Sequence, residues 1–221
     1  LEENLLLIFA GVPVQFVFQQ PGALSPTIQV PYAQASFSRI SMGGASEVGA
    51  LGLAVLDERN LNQDDNGAWP GGQPAFHLSL GIFPTELFIF SVNSGANVPF
   101  RQTFDPLIPG RGTPAGEHVD DLSALRYLAG LSATTVNLAR AGRIENALEE
   151  MGRFLAVVVA HEIGHSMGLV HGGAPPAGLH GNDPAHFPGS DDGHIELGST
   201  GLFPVQSQNI MSPSISYAAT L

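Results

Sequence analysis

The segment from residue 143 to residue 171 constrains the fold of this chain more than any other. Apolar side chains recur there at helical spacing, and residues 154 to 160 are apolar without interruption. A helix that is apolar nearly all round must be buried. The pattern therefore predicts a long central helix that begins near Arg143, and its periodic apolar residues are Ile144, Leu148, Met151, Leu155 and Val158.

The same helix runs into the sequence HEIGHSMGLVH, residues 161 to 171. His161 and His165 are four residues apart, so on a helix they lie about 40° apart around the axis and one turn apart along it. Both imidazoles can then reach one metal ion. Glu162 lies about 100° round from His161, which places it beside the ion, where a general base for a metal-activated water belongs.

The end of the motif supplies a third ligand. Gly168 can adopt the left-handed conformation that ends a helix, and the turn brings His171 towards the ion from outside the helix. Three protein ligands and one open position define a catalytic zinc site. A shuffled chain would contain HExxH with a probability of roughly 1%, but adding Gly168 and His171 lowers this to the order of one in ten thousand.

The full motif resembles the zinc signature HExxHxxGxxH of the metzincin metalloendopeptidases. The resemblance implies that His161, His165 and His171 bind zinc and that Glu162 is the general base. It also implies an α/β (α+β) fold with a twisted, mostly parallel sheet, a central active-site helix and a small irregular C-terminal subdomain. Residues 1 to 171 would form the upper subdomain and residues 172 to 221 the lower one, within a single catalytic domain.

Residues 209 to 213, NIMSP, resemble the tight turn that metzincins place beneath the metal, the Met-turn, with Met211 as its methionine. The Met-Ser-Pro sequence is similar to that of matrixins. Astacins and serralysins have a metal-approaching Tyr where this chain has Pro213, and the candidate for that role here is Tyr217, four residues later. Gly172 after the third histidine fits no one subfamily, so the subfamily stays unassigned.

The composition of the chain excludes several kinds of site and disfavours some classes of partner. The chain has no Cys, which excludes disulfides, Cys-ligated zinc and a thiol nucleophile. Its 20 acidic residues against 8 basic ones give a formal charge of -12, which disfavours nucleic acid and anionic membranes as partners. No apolar run reaches transmembrane length. We expect a secreted or cell-surface monomer, and the metzincin resemblance implies that it acts on a peptide or protein substrate.

Two polar loops are candidates for further metal ions. One offers oxygen ligands for calcium, although an Asx-rich turn without an ion is the simpler interpretation. The other follows the zinc motif and could hold a second zinc or a calcium, with solvated polar side chains as the favoured interpretation. The first set is Asp57, Asn60, Asn62, Asp64 and Asp65; the second is His180, Asp183, His186, Asp191, Asp192 and His194.

Local patterns predict the remaining elements. The apolar residues 5 to 10 indicate a buried opening strand, and Ser46 is a plausible N-cap for a helix that ends by Asn60. Residues 86 to 93 indicate a sheet strand, and residues 76 to 93 are the candidate sheet edge on which a substrate would pair. Residues 94 to 118 suggest an excursion away from the core. A further helix is expected from Asp120 or Asp121 to Leu128, and irregular backbone after Gly172.

Two alternative functions remain open at this stage. One is a zinc hydrolase of the other large HExxH class, in which Glu196 would be the third ligand. The other is a non-catalytic surface or binding module that keeps zinc for stability. The intact Glu162 argues against the second alternative, because a structural zinc site has no use for a general base.

Overall fold

A computed structural model describes residues 1–18, 40–57, 80–93, 98–171, 180–181, 194 and 210–212. A short 3₁₀ helix spans Asp105–Leu107. The α-helices are α1 (Glu2–Ile8), α2 (Pro84–Asn93), α3 (Val98–Phe104), α4 (Asp121–Leu128) and α5 (Leu138–Ser166); the strands are β1 (Gly52–Leu53), β2 (Gly81–Ile82), β3 (Val170–His171) and β4 (His180–Gly181).

Helix α5 is the predicted central helix, and it begins before the expected Arg143. The side chain of Asn137 accepts a hydrogen bond from the backbone N–H of Arg140 at 3.1 Å, which caps the first turn. Its second half is buried, including Phe154, Val158 and Ala160. The prediction of a central helix with a buried second half is confirmed, but Leu148, one of the predicted apolar positions, is 63% exposed. In the described part of the chain no helix, α5 included, is long and apolar enough to cross a membrane.

The predicted opening strand is wrong, because residues 2 to 8 form helix α1. Leu5 and Phe9, four residues apart, are buried in the main core, whereas Leu6 and Leu7 are exposed. This spacing of buried positions matches the helical period and not the alternation of a strand. Packing against α5 therefore decides the conformation of a short apolar run that either structure could accommodate.

The predicted strand over residues 86 to 93 is also wrong, since these residues lie in helix α2. Pro84 stands at its first position, where a missing N–H costs nothing. Residues 94 to 118 are not simply an excursion: α3 lies within them and places Phe100 and Phe104 in the core. Their rings, with centroids 4.5 Å apart, both make edge contacts with Phe88.

No helix forms among residues 46 to 57, contrary to the sequence prediction. The Ser46 hydroxyl accepts hydrogen bonds from the N–H groups of Val48 and Ala50, so it stabilises a local turn. Gly49 has a φ of 71°, which interrupts a right-handed helix. Strand β1 then begins at Gly52.

The strands of the described residues form two short pairs. β1 and β2 are antiparallel, with Gly52 opposite Ile82, and β3 and β4 are parallel, with His171 opposite Gly181. Helix α4 confirms the helix predicted from Asp120 or Asp121 to Leu128. The larger, mostly parallel sheet and the division at residue 171 stay predictions.

Candidate metal centre

The last two turns of α5 hold the first two candidate ligands side by side. The Nε2 atoms of His161 and His165 face each other at 3.0 Å. Two nitrogens that bind one tetrahedral zinc at 2.0–2.1 Å lie about 3.3 Å apart. The ring pair therefore needs only a small adjustment to hold an ion, and His161 is buried while His165 is partly exposed.

A backbone carbonyl orients His161. Its Nδ1 lies 2.7 Å from the carbonyl oxygen of Ile210. Because a carbonyl only accepts, Nδ1 carries the hydrogen and donates it, which leaves the Nε2 lone pair for a metal. Burial lowers the pKa of His161, a shift that the hydrogen bond to Ile210 partly opposes. The imidazole is thus held neutral, the form that binds metal.

Met211, the predicted Met-turn methionine, packs against the helix at Gly164, between the two histidines in the sequence. It is 3% exposed and clusters with Val170. A Cβ on Gly164 would collide with its sulfur and lie 3.1 Å from its Cε. The glycine between the two histidines is therefore what lets Met211 approach the helix backbone. The turn supplies both this packing and the Ile210 carbonyl.

Glu162, the predicted general base, is 4% exposed and lies against strand β1. A Cβ on Gly52 would overlap the carboxylate Oε1 and lie 2.7 Å from both Cγ and Cδ. Burial raises the pKa of the Glu162 carboxyl to about 7. A bound cation would lower it again by favouring the charged form.

The segment after β1 continues along the end of α5. The backbone N–H of Asp57 donates to the carbonyl of His165 at 3.1 Å. This carbonyl lies in the last turn, where intrahelical donors run out. Gly168 then ends the helix with a φ of 64°, as the sequence predicted, and leads into β3.

A third imidazole, that of His194, lies at the same place. Its ring stacks on His161 with centroids 5.2 Å apart, and it meets His165 edge-on at 4.9 Å. One ligand nitrogen from each of the three rings lies within 4.8 Å of the others. Sequence reasoning placed His194 in a separate polar loop, because an irregular segment gives no spacing that would link it to the helix.

Other predicted site residues lie beyond what the structure describes. The backbone of His171 forms part of β3, but its side chain lies outside the described residues. Asp57 is described and buried, whereas the other proposed calcium ligands lie outside the described residues. The further predicted residues outside the described ranges are Asn60, Asn62, Asp64, Asp65, Asp183, His186, Asp191, Asp192, Glu196 and Tyr217, together with the side chain of His180.

Compared with known proteins, the chain matches no family model, no curated protein and no solved structure. The residues that bear on its function are the two imidazoles whose Nε2 atoms face each other, the buried carboxylate of Glu162 from the turn between them, and the turn that orients His161 and packs against the helix at Gly164.

Proposed function

We propose that this protein is a zinc-dependent endopeptidase. The observation that carries the proposal is the 3.0 Å approach of the His161 and His165 Nε2 atoms on a helix whose intervening residue Glu162 presents a buried carboxylate. Imidazole donors suit zinc, although they also suit other transition metals. The choice of zinc, and of His171 as a further ligand, comes from the resemblance of residues 161 to 171 to the metzincin signature.

When bound, zinc supplies Lewis acidity, which polarises a carbonyl and makes water acidic enough to deprotonate near neutral pH. Glu162 accepts a proton from the attacking water and passes it to the leaving amine. Its position one residue after His161 on the helix supports this role, because a general base must lie within reach of the proton that it takes. Gly52 has no side chain, and this leaves space for the Glu162 carboxylate against β1.

An extended peptide would pair with β1. Among the described strands β1 has β2 on one side, and its Gly52 is in contact with Glu162. A peptide added at the other side of β1 would bring its own backbone beside the general base. This replaces the edge expected over residues 76 to 93, most of whose described part is helix α2.

The test compares wild type with Glu162→Gln. Both proteins are expected to hold about one zinc, and Glu162→Gln is expected to lose at least about 100-fold in peptide cleavage because it removes the base. Glu149→Gln, an exposed change on the same helix, should leave cleavage unchanged. A zinc-loaded wild type that cleaves no peptide would instead favour the non-catalytic, zinc-stabilised module.

A further inference from the structure

His194 is drawn from far along the chain to the end of α5. It follows the motif at a distance, in a Gly- and Asp-rich stretch with the sequence PGSDDGH over residues 188 to 194. Nevertheless its ring lies in contact with both helix histidines, stacked on one at an interplanar angle of 22° and nearly perpendicular to the other at 89°.

Packing alone gives little reason for this arrangement. An imidazole is a polar group, and apolar packing does not by itself bring three of them together at one place. A transition-metal ion would make the gathering favourable, because each neutral ring offers one lone pair to it. The nitrogens lie within 4.8 Å of one another, so shifts of an ångström or two bring all three onto one ion.

We propose that His194 is a ligand of the same metal ion that His161 and His165 hold. This inference rests on the proposed metal site, but it does not require that the protein cleaves peptides. Its consequence is that the metal joins His194 to the end of α5. His194 then belongs to the same metal centre as the two helix histidines, and not to the second, separate metal site considered from the sequence.

The deciding experiment uses cobalt(II) in place of zinc in the full chain, since the visible absorption of cobalt reports its ligands. We compare wild type with His194→Ala and with His118→Ala, a half-exposed histidine outside the site that serves as the control. His194→Ala is expected to change the cobalt spectrum and to weaken metal binding at least about tenfold in competition with a chelator. His118→Ala should change neither.

A measurement on the wild type guards against misfolding of the variant. Diethyl pyrocarbonate modifies accessible imidazole nitrogens, and peptide mass mapping locates the modified residues. His194 is expected to react in metal-free protein and to be protected once zinc is bound, while His118 reacts in both. An unchanged cobalt spectrum in His194→Ala, or equal labelling of His194 with and without zinc, overturns the proposal.

Peptide cleavage, measured alongside, separates this proposal from the proposed function. A changed spectrum in His194→Ala together with an inactive, metal-loaded wild type keeps His194 as a ligand and refutes the protease. An active wild type whose cobalt spectrum is unchanged in His194→Ala supports the protease and refutes His194 as a ligand. His171→Ala, taken through the same spectra, tests the ligand that the metzincin resemblance implies. A spectrum that depends on both His171 and His194 would mean four imidazole ligands with no open position for water, and would favour the non-catalytic module over the protease.

Discussion

Two glycines allow the side chains of Glu162 and Met211 to come close to the backbone. Gly52 touches the Glu162 side chain, and Gly164 touches Met211. At both positions a methyl group would overlap another side chain, so each glycine is required by contact. Neither needs the left-handed backbone for which glycine is usually retained.

Gly52→Ala is expected to lower kcat for peptide cleavage by about 10- to 100-fold, because displacing a general base by about an ångström has an effect of this size. Metal content should stay at the wild-type level, since the change touches Glu162 and not the histidines. Steady-state kinetics and metal analysis check this. Loss of metal together with activity would show that Gly52 supports the fold and does not position the base.

Gly164→Ala is expected to destabilise the protein by about 1–3 kcal/mol, the usual cost of overpacking a close contact. Gly142 lies on the same helix, and a Cβ added there would meet nothing within 4 Å, so it provides the matched control. Gly142→Ala should stabilise by about 0.5–1 kcal/mol through helix propensity. Denaturant unfolding of both variants measures the contrast, and equal effects would remove the argument that Met211 requires the glycine.

At the scale of elements, the sequence predicted what is local and missed what depends on distant partners. The ligand spacing of His161 and His165 follows from helix geometry alone, as does the position of Glu162. Residues 86 to 93 carry no such signal: their apolar run fits a strand or a helix. Tertiary contacts decide between helix and strand. One of them is the hydrogen bond that the buried Glu86 side chain accepts from the N–H of Ser46 at 2.9 Å.

Within the site, the position of His194 could not be predicted from the sequence either. His194 is 33 residues from His161 in the sequence and follows a Gly- and Asp-rich stretch with no regular apolar spacing, so no periodic pattern predicts its approach to the helix. Gly52 is a second case, because its contact with Glu162 joins residues far apart in sequence. A glycine in an apolar stretch indicates that another group can come close to the backbone there, but it does not indicate which group.

A buried ion pair fastens the start of α5 to α4. The Arg140 guanidinium donates to both Asp121 oxygens, at 2.7 and 3.1 Å, and to the carbonyl of Thr113 at 2.7 Å. Asp121 also accepts from the N–H groups of Gly116 and His118. The hydrogen bond from Arg140 holds the pKa of Asp121 far below its usual range.

Asp121→Asn is expected to lower the free energy of unfolding by about 3 kcal/mol at pH 7, because it leaves a buried guanidinium unpaired. The pKa of Asp121 is depressed on folding, so its stabilisation is complete above the unfolded value near 4 and declines as the pH falls below it. The gap between wild type and variant should therefore narrow at pH 3.

Asp120→Asn is the control, since its carboxylate is 37% exposed and should matter by less than about 1 kcal/mol. Denaturant titrations at pH 7 and pH 3 measure both variants. A gap for Asp121→Asn that is constant or wider at pH 3 would contradict the assignment of the pair as the source of the stability.

At the scale of the whole molecule, the candidate metal site joins parts that are far apart in the chain. The helix brings His161 and His165, the turn at residues 210 to 212 brings the Ile210 carbonyl and Met211, and β1 closes over Glu162. The chain has no Cys and so cannot form disulfides, which leaves a bound metal as the strongest cross-link between these parts. Metal binding should therefore appear as stability of the entire chain.

Zinc is expected to raise the melting temperature of the wild type, and a chelator to lower it again. A free concentration 100 times the dissociation constant stabilises the folded state by about 2.7 kcal/mol, provided that the unfolded chain binds little zinc. His161→Ala should abolish the response, since that residue joins the ion to the Ile210 turn, whereas His118→Ala should keep it. Thermal unfolding at fixed protein and stepped zinc concentrations decides the matter, and identical melting curves with zinc and with chelator would mean that no folded metal centre forms.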